Sequence, residues 1–317
     1  MNKTLSVSCV QYDRVAALRD GRVSIDGYGL DFRDMPVPKI HAACFDRREL
    51  ALAEVSPANL AVAMDSGNDD YVGLPVFLSR AFRHGAILVA DDGPVGKPHD
   101  LARIGVPDWL GTTSIWQRGI LQDQYGLDLR QVEWVFAPVD PGGAYKQPSE
   151  AVSENFRVAD RGAGTSLSEL LIGGEIDAIL ALRPPKAFGA GITRLFPDYV
   201  DREVGYFRET GIFPVMHVLV ADRAYVEADP ELAGRVCAAF LEARDIALRN
   251  LSEQAYYFAT LPWLPHHVEF TTRVLGEDFW KYGIEDGRAP VETFLRYCEE
   301  QSVTAGRIPV EAFFPYS

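Results

Sequence analysis

PVFLSRAFRHGAILVA, residues Pro75–Ala90, decides the fold: an apolar run that reads as a buried strand is interrupted by Ser79, Arg80, Phe82, Arg83 and His84. Two guanidinium groups and an imidazole are costly to bury unless each finds a partner. A second run, TGIFPVMHVLVA at Thr210–Ala221, repeats the plan, with Gly211, Ile212, Phe213, Pro214, Met216 and His217 ahead of the apolar Val218–Ala221. Two polar-tipped strands far apart in sequence predict paired crossings between two lobes, with a ligand cleft beside them. At a period of two, Arg80, Phe82 and His84 share one strand face and Ser79 and Arg83 the other. One of those faces then suits a flat, anionic ligand.

Outward from these runs, strand and helix alternate. Leu5–Val10, Leu30–Phe32 and Leu50–Val55 read as strands, and Pro57 starts a helix. Further on, Leu101–Val106 and Val132–Phe136 read as strands around a helix at Thr112–Tyr125, and Asp140–Gly164 reads as a long polar loop. Ser166 and Glu169 form a capping box, Ala178–Leu182 reads as a strand, and Asp229 with Pro230 opens the helical C-terminal part. This order predicts an α/β fold of two lobes, residues 1–85 with 218–317 as a discontinuous first lobe and 86–217 as the second. Ligands of open α/β sheets sit at the carboxyl ends of strands, so the site is expected between the lobes.

A length of 317 residues is ample for two lobes. The formal charge of -14 argues against nucleic acid or an anionic membrane as partner, so a small anion would need local clusters of arginine. Cys9, Cys44, Cys237 and Cys298 show no CxxC or metal-type spacing and read as reduced thiols. The opening residues lack the core of a signal peptide and no run reaches the length of a membrane span, so a cytoplasmic protein is expected. Trp263, Phe279, Trp280, Phe313 and Phe314 are compatible with a homo-oligomer contact, although cover for the core is the preferred reading.

Several residues stand at presumed strand tips. Tyr12, Asp13 and Arg14 follow the first strand, and Glu54, Ser56 and Asn59 follow the third, where Ser56 and Pro57 open a helix with free amides. Gly111, Thr112, Thr113 and Ser114 make a helix start suited to a carboxylate, with Trp109 or Trp116 placed to stack on an aromatic ring. A plain cap beside two core tryptophans explains the same letters. Arg183, held at a strand end by Pro184 and Pro185, is expected to reach the cleft. His84 and His217 are the histidines embedded in strand-like runs, whereas His41, His99, His266 and His267 read as surface or packing residues. The pair has no HxH, HxxxH or HExxH spacing, which leaves metal ligation a minor alternative. There is no GxGxxG after the first strand, no P-loop and no GxSxG elbow, so nucleotide-dependent and serine-hydrolase chemistry are disfavoured.

These residues resemble the 4,5-dihydroxyphthalate decarboxylase family. The matching pieces are Tyr12–Arg14, Ala53–Ser56, Pro75–His84, Gly105–Pro107, Ile115–Gly126, Gly174–Ala178, Arg183–Pro185, Leu195–Tyr199, Thr210–His217, Leu261–Trp263 and Phe279–Gly283, nearly the whole chain. The resemblance implies a two-lobed fold like that of type II periplasmic binding proteins, with mixed sheets flanked by helices and two hinge-crossing strands. It also implies non-oxidative loss of CO2 from a hydroxylated aromatic dicarboxylate, 4,5-dihydroxyphthalate giving protocatechuate. The matching partner is a small aromatic carboxylate. Guanidinium forks at Arg14, Arg80, Arg83 and Arg183 suit its carboxylates. His84 and His217 are the candidates for proton donor and phenol base, with Glu54 or Asp13 orienting one of them or acting as base. Tyr12, Ser56, Ser79, Thr112 and Thr113 complete the expected binding set, and Trp109, Trp116 or Phe213 would desolvate the departing carboxylate. No cofactor is expected, with a divalent metal left open. A solute-binding protein for an aromatic or other small organic anion is the alternative reading.

Overall fold

The computed structural model describes residues 3–94, 96–253 and 255–316. In chain order its elements are β1 (Lys3–Ser8), α1 (Asp13–Arg19), β2 (Tyr28–Phe32), α2 (Val37–His41), β3 (Leu52–Val55), α3 (Pro57–Asp65), β4 (Tyr71–Arg80) and β5 (Ile87–Ala90). There follow β6 (Arg103–Val106), α4 (Thr112–Tyr125), β7 (Glu133–Phe136), α5 (Glu150–Asn155), β8 (Arg157–Asp160), α6 (Leu167–Ile172), β9 (Ala178–Leu180), β10 (Ile192–Arg194) and α7 (Tyr199–Thr210). The chain closes with β11 (Val215–Asp222), α8 (Arg223–Ala228), α9 (Leu232–Leu251), α10 (Leu264–Leu275), α11 (Ile284–Glu300) and α12 (Val310–Phe313).

Two compact units result. The first comprises residues 1–80, 215–292 and 308–317 and holds a sheet of order β2-β1-β3-β11-β4. Within it β1 runs parallel to β2 and β3, while β11 returns antiparallel between β3 and β4. The second comprises residues 81–214 and 293–307 and holds a sheet of order β10-β5-β9-β6-β7-β8. Its β5 is antiparallel to both neighbours. The remaining pairs are parallel.

Three sequence expectations need correction. Residues 293–307 cluster with the second unit, not the first. The Tyr297 hydroxyl donates to Asp123 on α4 at 2.7 Å, Phe294 packs against Trp116, and Arg118 donates to the Gln301 side chain at 2.7 Å. Gly119 makes room for this docking, since a Cβ there would lie 2.2 Å from the Tyr297 ring. Secondly, Pro75–Ala90 is not one strand: β4 ends at Arg80 and a 3-10 turn occupies His84–Ala86. Side chains anchor that turn, because Gly85 N–H donates to Glu203 at 3.3 Å and Arg194 donates to the Gly85 carbonyl at 3.0 Å. Period-two faces therefore stop at Arg80. Thirdly, the expected loop Asp140–Gly164 contains α5, capped by Ser149, and β8, which pairs with β7.

β4 carries the irregularity that shapes the first unit. His217 pairs with Ser79 and Leu219 with Leu74, so Val218 alone stands opposite the stretch Pro75–Leu78. A bulge of this size strands backbone carbonyls, and each must find a donor elsewhere. Gly283 N–H takes the Pro75 carbonyl at 2.8 Å, the Trp280 indole takes that of Phe77 at 3.0 Å, and Arg14 takes that of Leu78 through Nε at 2.9 Å and through Nη2. The segment Trp280–Gly283 is thereby stitched to the sheet.

Candidate active site

In the β3–β11 ladder Leu219 faces Glu54, so His217, two residues earlier on β11, projects from the same face as Glu54. Glu54 is wholly buried, at 0% exposure. Its Oε2 accepts the Val10 N–H at 2.7 Å, and its Oε1 accepts the Tyr12 hydroxyl at 2.8 Å and His217 Nδ1 at 2.6 Å. Such charge-assisted bonds are how a carboxylate survives burial. Burial pushes Glu54 upward, but the hydrogen bonds and charge of His217, with the bonds from Val10 and Tyr12, outweigh it and hold the carboxyl below its ordinary range. The stabilisation linked to this depression is fully present above about pH 4.5 and is lost as pH falls through the lower folded value.

An ionised carboxylate only accepts, so the proton on His217 sits at Nδ1. In the neutral form of the ring Nε2 then carries the lone pair, on a side chain that is 22% exposed. This is a carboxylate-braced imidazole, the arrangement of a general base. Burial, followed by the Glu54 charge and hydrogen bond, raises the Tyr12 phenol well above its usual value, so its proton stays in place. Ser79 lies opposite His217 in the ladder and close to the Tyr12 hydroxyl.

Arg14 is sandwiched between aromatic faces, its guanidinium carbon 3.8 Å from the Tyr12 ring centroid and 4.2 Å from that of Trp280. Asp13 is exposed and accepts from Arg14, so it does not orient a histidine, and Glu54 alone fills that role. Arg80 is buried at the end of β4, donates to the Lys281 carbonyl at 3.0 Å, and is lowered to about 10 by burial. Ser56 caps α3 by accepting the Asn59 N–H at 3.1 Å. Its own N–H donates to His41 Nε2 at 3.1 Å, which gives a bracing role to a histidine that sequence reading took as a surface or packing residue. No spacing rule could have found that contact. The first unit thus brings together Tyr12, Glu54, Ser79 and His217, with Arg14 stacked on Tyr12.

The other candidates lie in the second unit. His84 is not a proton donor in waiting: it is 0% exposed, its Nε2 pairs with Gln124 at 2.8 Å, and Tyr206 and Phe196 pack on its ring. Burial lowers its pKa, so a neutral, structural imidazole stands where a proton donor or phenol base was expected. Trp109 is also scaffold, packed among Trp134, Phe136 and Phe156 with its indole donating to the Gln301 carbonyl at 2.8 Å. Trp116 packs with Phe294 and Tyr297. Neither indole is presented to a ligand. Arg118, not singled out in the sequence, is wholly buried with its guanidinium 3.7 Å from the Trp109 ring. Phe213 stacks on Phe82 at 4.8 Å, and Arg183 is exposed. Thr112 and Thr113 open α4, whose cap Gly111 offers no side chain, and the buried Thr112 hydroxyl has no hydrogen-bond partner.

Arg83 is half-buried and lowered to about 10 by burial, against which the charge of Glu203 acts. Burial raises Glu203 to about 7 despite its bonds from the backbone of Gly85 and His84. A carboxyl raised on folding disfavours the native state once it ionises, so this residue costs stability increasingly from about pH 4.5 to about 7. Glu203→Gln, which keeps an acceptor for Gly85, is therefore expected to melt higher than the parent at pH 8 and to match it near pH 4. Thermal melts across that range check the sign.

Among the described residues there is no group of three or more His, Cys, Asp or Glu suited to a metal, and no helix long and apolar enough to cross a membrane. No family model matches the chain. It is 31% identical over 319 residues to a 4,5-dihydroxyphthalate decarboxylase of Comamonas testosteroni, spanning 99% of this chain and 97% of that one. A second such enzyme, from Pseudomonas putida, is 33% identical over 209 residues, 63% of this chain and 79% of that one. Among solved structures, the periplasmic aliphatic sulphonate binding protein of Escherichia coli matches with a TM-score of 0.52 at 14% identity, covering 99% of this chain and 92% of that one. A Candida albicans protein described as having the generic periplasmic binding protein fold matches with a TM-score of 0.50 at 12% identity, covering 96% and 92%. The structural likenesses establish a periplasmic-binding-protein fold, α/β with two mixed sheets flanked by helices. Identity of this level over essentially the full length shows more: the chain belongs to the 4,5-dihydroxyphthalate decarboxylase family.

Proposed function

We propose that this chain is a carboxy-lyase that converts 4,5-dihydroxyphthalate to 3,4-dihydroxybenzoate and CO2, with His217 as the phenol base and Glu54 as its orienting carboxylate. The observation that carries this reading is the buried Glu54 bonded to both His217 and Tyr12. In this substrate each carboxylate has a hydroxyl para to it. His217 Nε2 takes the proton of one hydroxyl, and the Glu54 charge stabilises the imidazolium that forms. The phenoxide pushes an electron pair through the ring to the carbon bearing the para carboxylate, which gains a proton. The carbon–carboxylate bond then breaks, its electrons restore the aromatic ring, and CO2 departs. His217 finally returns its proton to the phenolate, so one proton is drawn from solvent per turnover. The ring oxygen serves as electron reservoir, and no cofactor is called on for that task.

Arg14 and Arg80 supply positive charge for the dianion within the first unit. The test is incubation of chelator-treated protein with carboxyl-labelled 4,5-dihydroxyphthalate. Labelled CO2 in step with 3,4-dihydroxybenzoate is expected. Tight binding without product would overturn the assignment in favour of a solute-binding role.

A further inference from the structure

We propose that the Tyr282 hydroxyl is a substrate-binding group that donates a hydrogen bond to a carboxylate of the aromatic ligand. This rests on the functional reading above. Tyr282 is 9% exposed, and its hydroxyl is buried with no hydrogen-bond partner. A buried hydroxyl left unpaired weakens the fold, and phenylalanine would pack the same space without that cost. The segment gives the hydroxyl little freedom to turn toward a protein partner. Trp280 and Gly283 hold the carbonyls of the β4 bulge at 3.0 and 2.8 Å, Arg80 donates to the Lys281 carbonyl at 3.0 Å, and Arg244 donates to the Trp280 carbonyl at 3.0 Å.

The surroundings select an anion. Arg14, Arg244 and Arg80 all act electrostatically on the Tyr282 phenol, although burial dominates and raises it, so the proton is retained and available to donate. The Arg244 guanidinium carbon lies 5.5 Å from the Tyr282 ring centroid, and Trp280, two residues before Tyr282, stacks on Arg14, which stacks in turn on Tyr12, the donor to Glu54. A protonated donor beside guanidinium groups matches a carboxylate oxygen, which accepts and carries charge. Held in place before the ligand arrives, it loses little ordering entropy on binding.

Tyr282→Phe tests this with three readouts: thermal melting, phthalate affinity by calorimetry, and KM for 4,5-dihydroxyphthalate. The variant is expected to melt no lower than the parent, to bind phthalate about tenfold to a hundredfold more weakly, and to show a KM raised to a similar degree. Unchanged affinity and KM in an active protein would overturn the inference alone. A lower melting temperature with unchanged affinity would also overturn it, because the hydroxyl would then serve the fold through an ordered water. If the parent protein neither binds phthalate nor turns over 4,5-dihydroxyphthalate, the functional reading falls, and this inference with it.

Discussion

Glu54→Gln is expected to lower kcat by about two to four orders of magnitude while the protein stays folded. The Val10 N–H is fixed backbone and donates to one carboxylate oxygen, so the glutamine must present its own oxygen there. Its amide NH2 then faces Tyr12 and His217, where the carboxylate accepted two hydrogen bonds. An NH2 group pointing at His217 Nδ1 forces the ring proton onto Nε2. The base is left in the wrong tautomer, and the imidazolium loses its counter-charge. Steady-state kinetics with circular dichroism checks both halves of the expectation. A variant within a few-fold of the parent would remove Glu54 from the mechanism.

The second large effect is on stability, at Arg14. Arg14→Ala deletes two donors to the Leu78 carbonyl inside the β4 bulge and the cation between the Tyr12 and Trp280 rings. An orphaned buried carbonyl and two lost cation–π contacts together are worth about 2–4 kcal/mol. Arg14→Lys keeps the charge but cannot reproduce the fork or the stacking, so it should fall between. Urea unfolding reads the difference, and a loss below about 0.5 kcal/mol would contradict this account of the bulge. Because Arg14 stacks on Tyr12, and Tyr12 donates to Glu54, the alanine variant is also expected to raise KM.

Local chemistry made much of this legible in advance. Ser56 before Pro57 and Ser166 three residues before Glu169 announce helix starts, and each lies at one in the structure. Glu54 stood out at a presumed strand tip and His217 as a histidine within a strand-like run, and the antiparallel pairing of β3 with β11 puts them on one face. What stayed hidden depends on contacts far apart in sequence. The β4 bulge owes its existence to donors from Arg14, Trp280 and Gly283, which no period within Pro75–Ala90 can reveal. His84 misled because the strand ends at Arg80, a stop enforced by Tyr199, Glu203 and Arg194 around Gly85. Residues 293–307 change unit within helix α11, where Pro290, three residues before the change, is the one local mark and was not read as a boundary. Trp109 and Trp116 illustrate a plainer limit, since an indole that fills a core and one that stacks on a ligand are spelled alike.

The most direct measurement is parallel turnover of 4,5-dihydroxyphthalate by the parent protein and His217→Asn in chelator-treated buffer, following CO2 and 3,4-dihydroxybenzoate. If His217 is the phenol base, the parent is active and the variant, with an unchanged melting temperature, is slower by about a hundredfold or more. Equal turnover by the two proteins would contradict the assignment of the reaction to the Glu54–His217 pair.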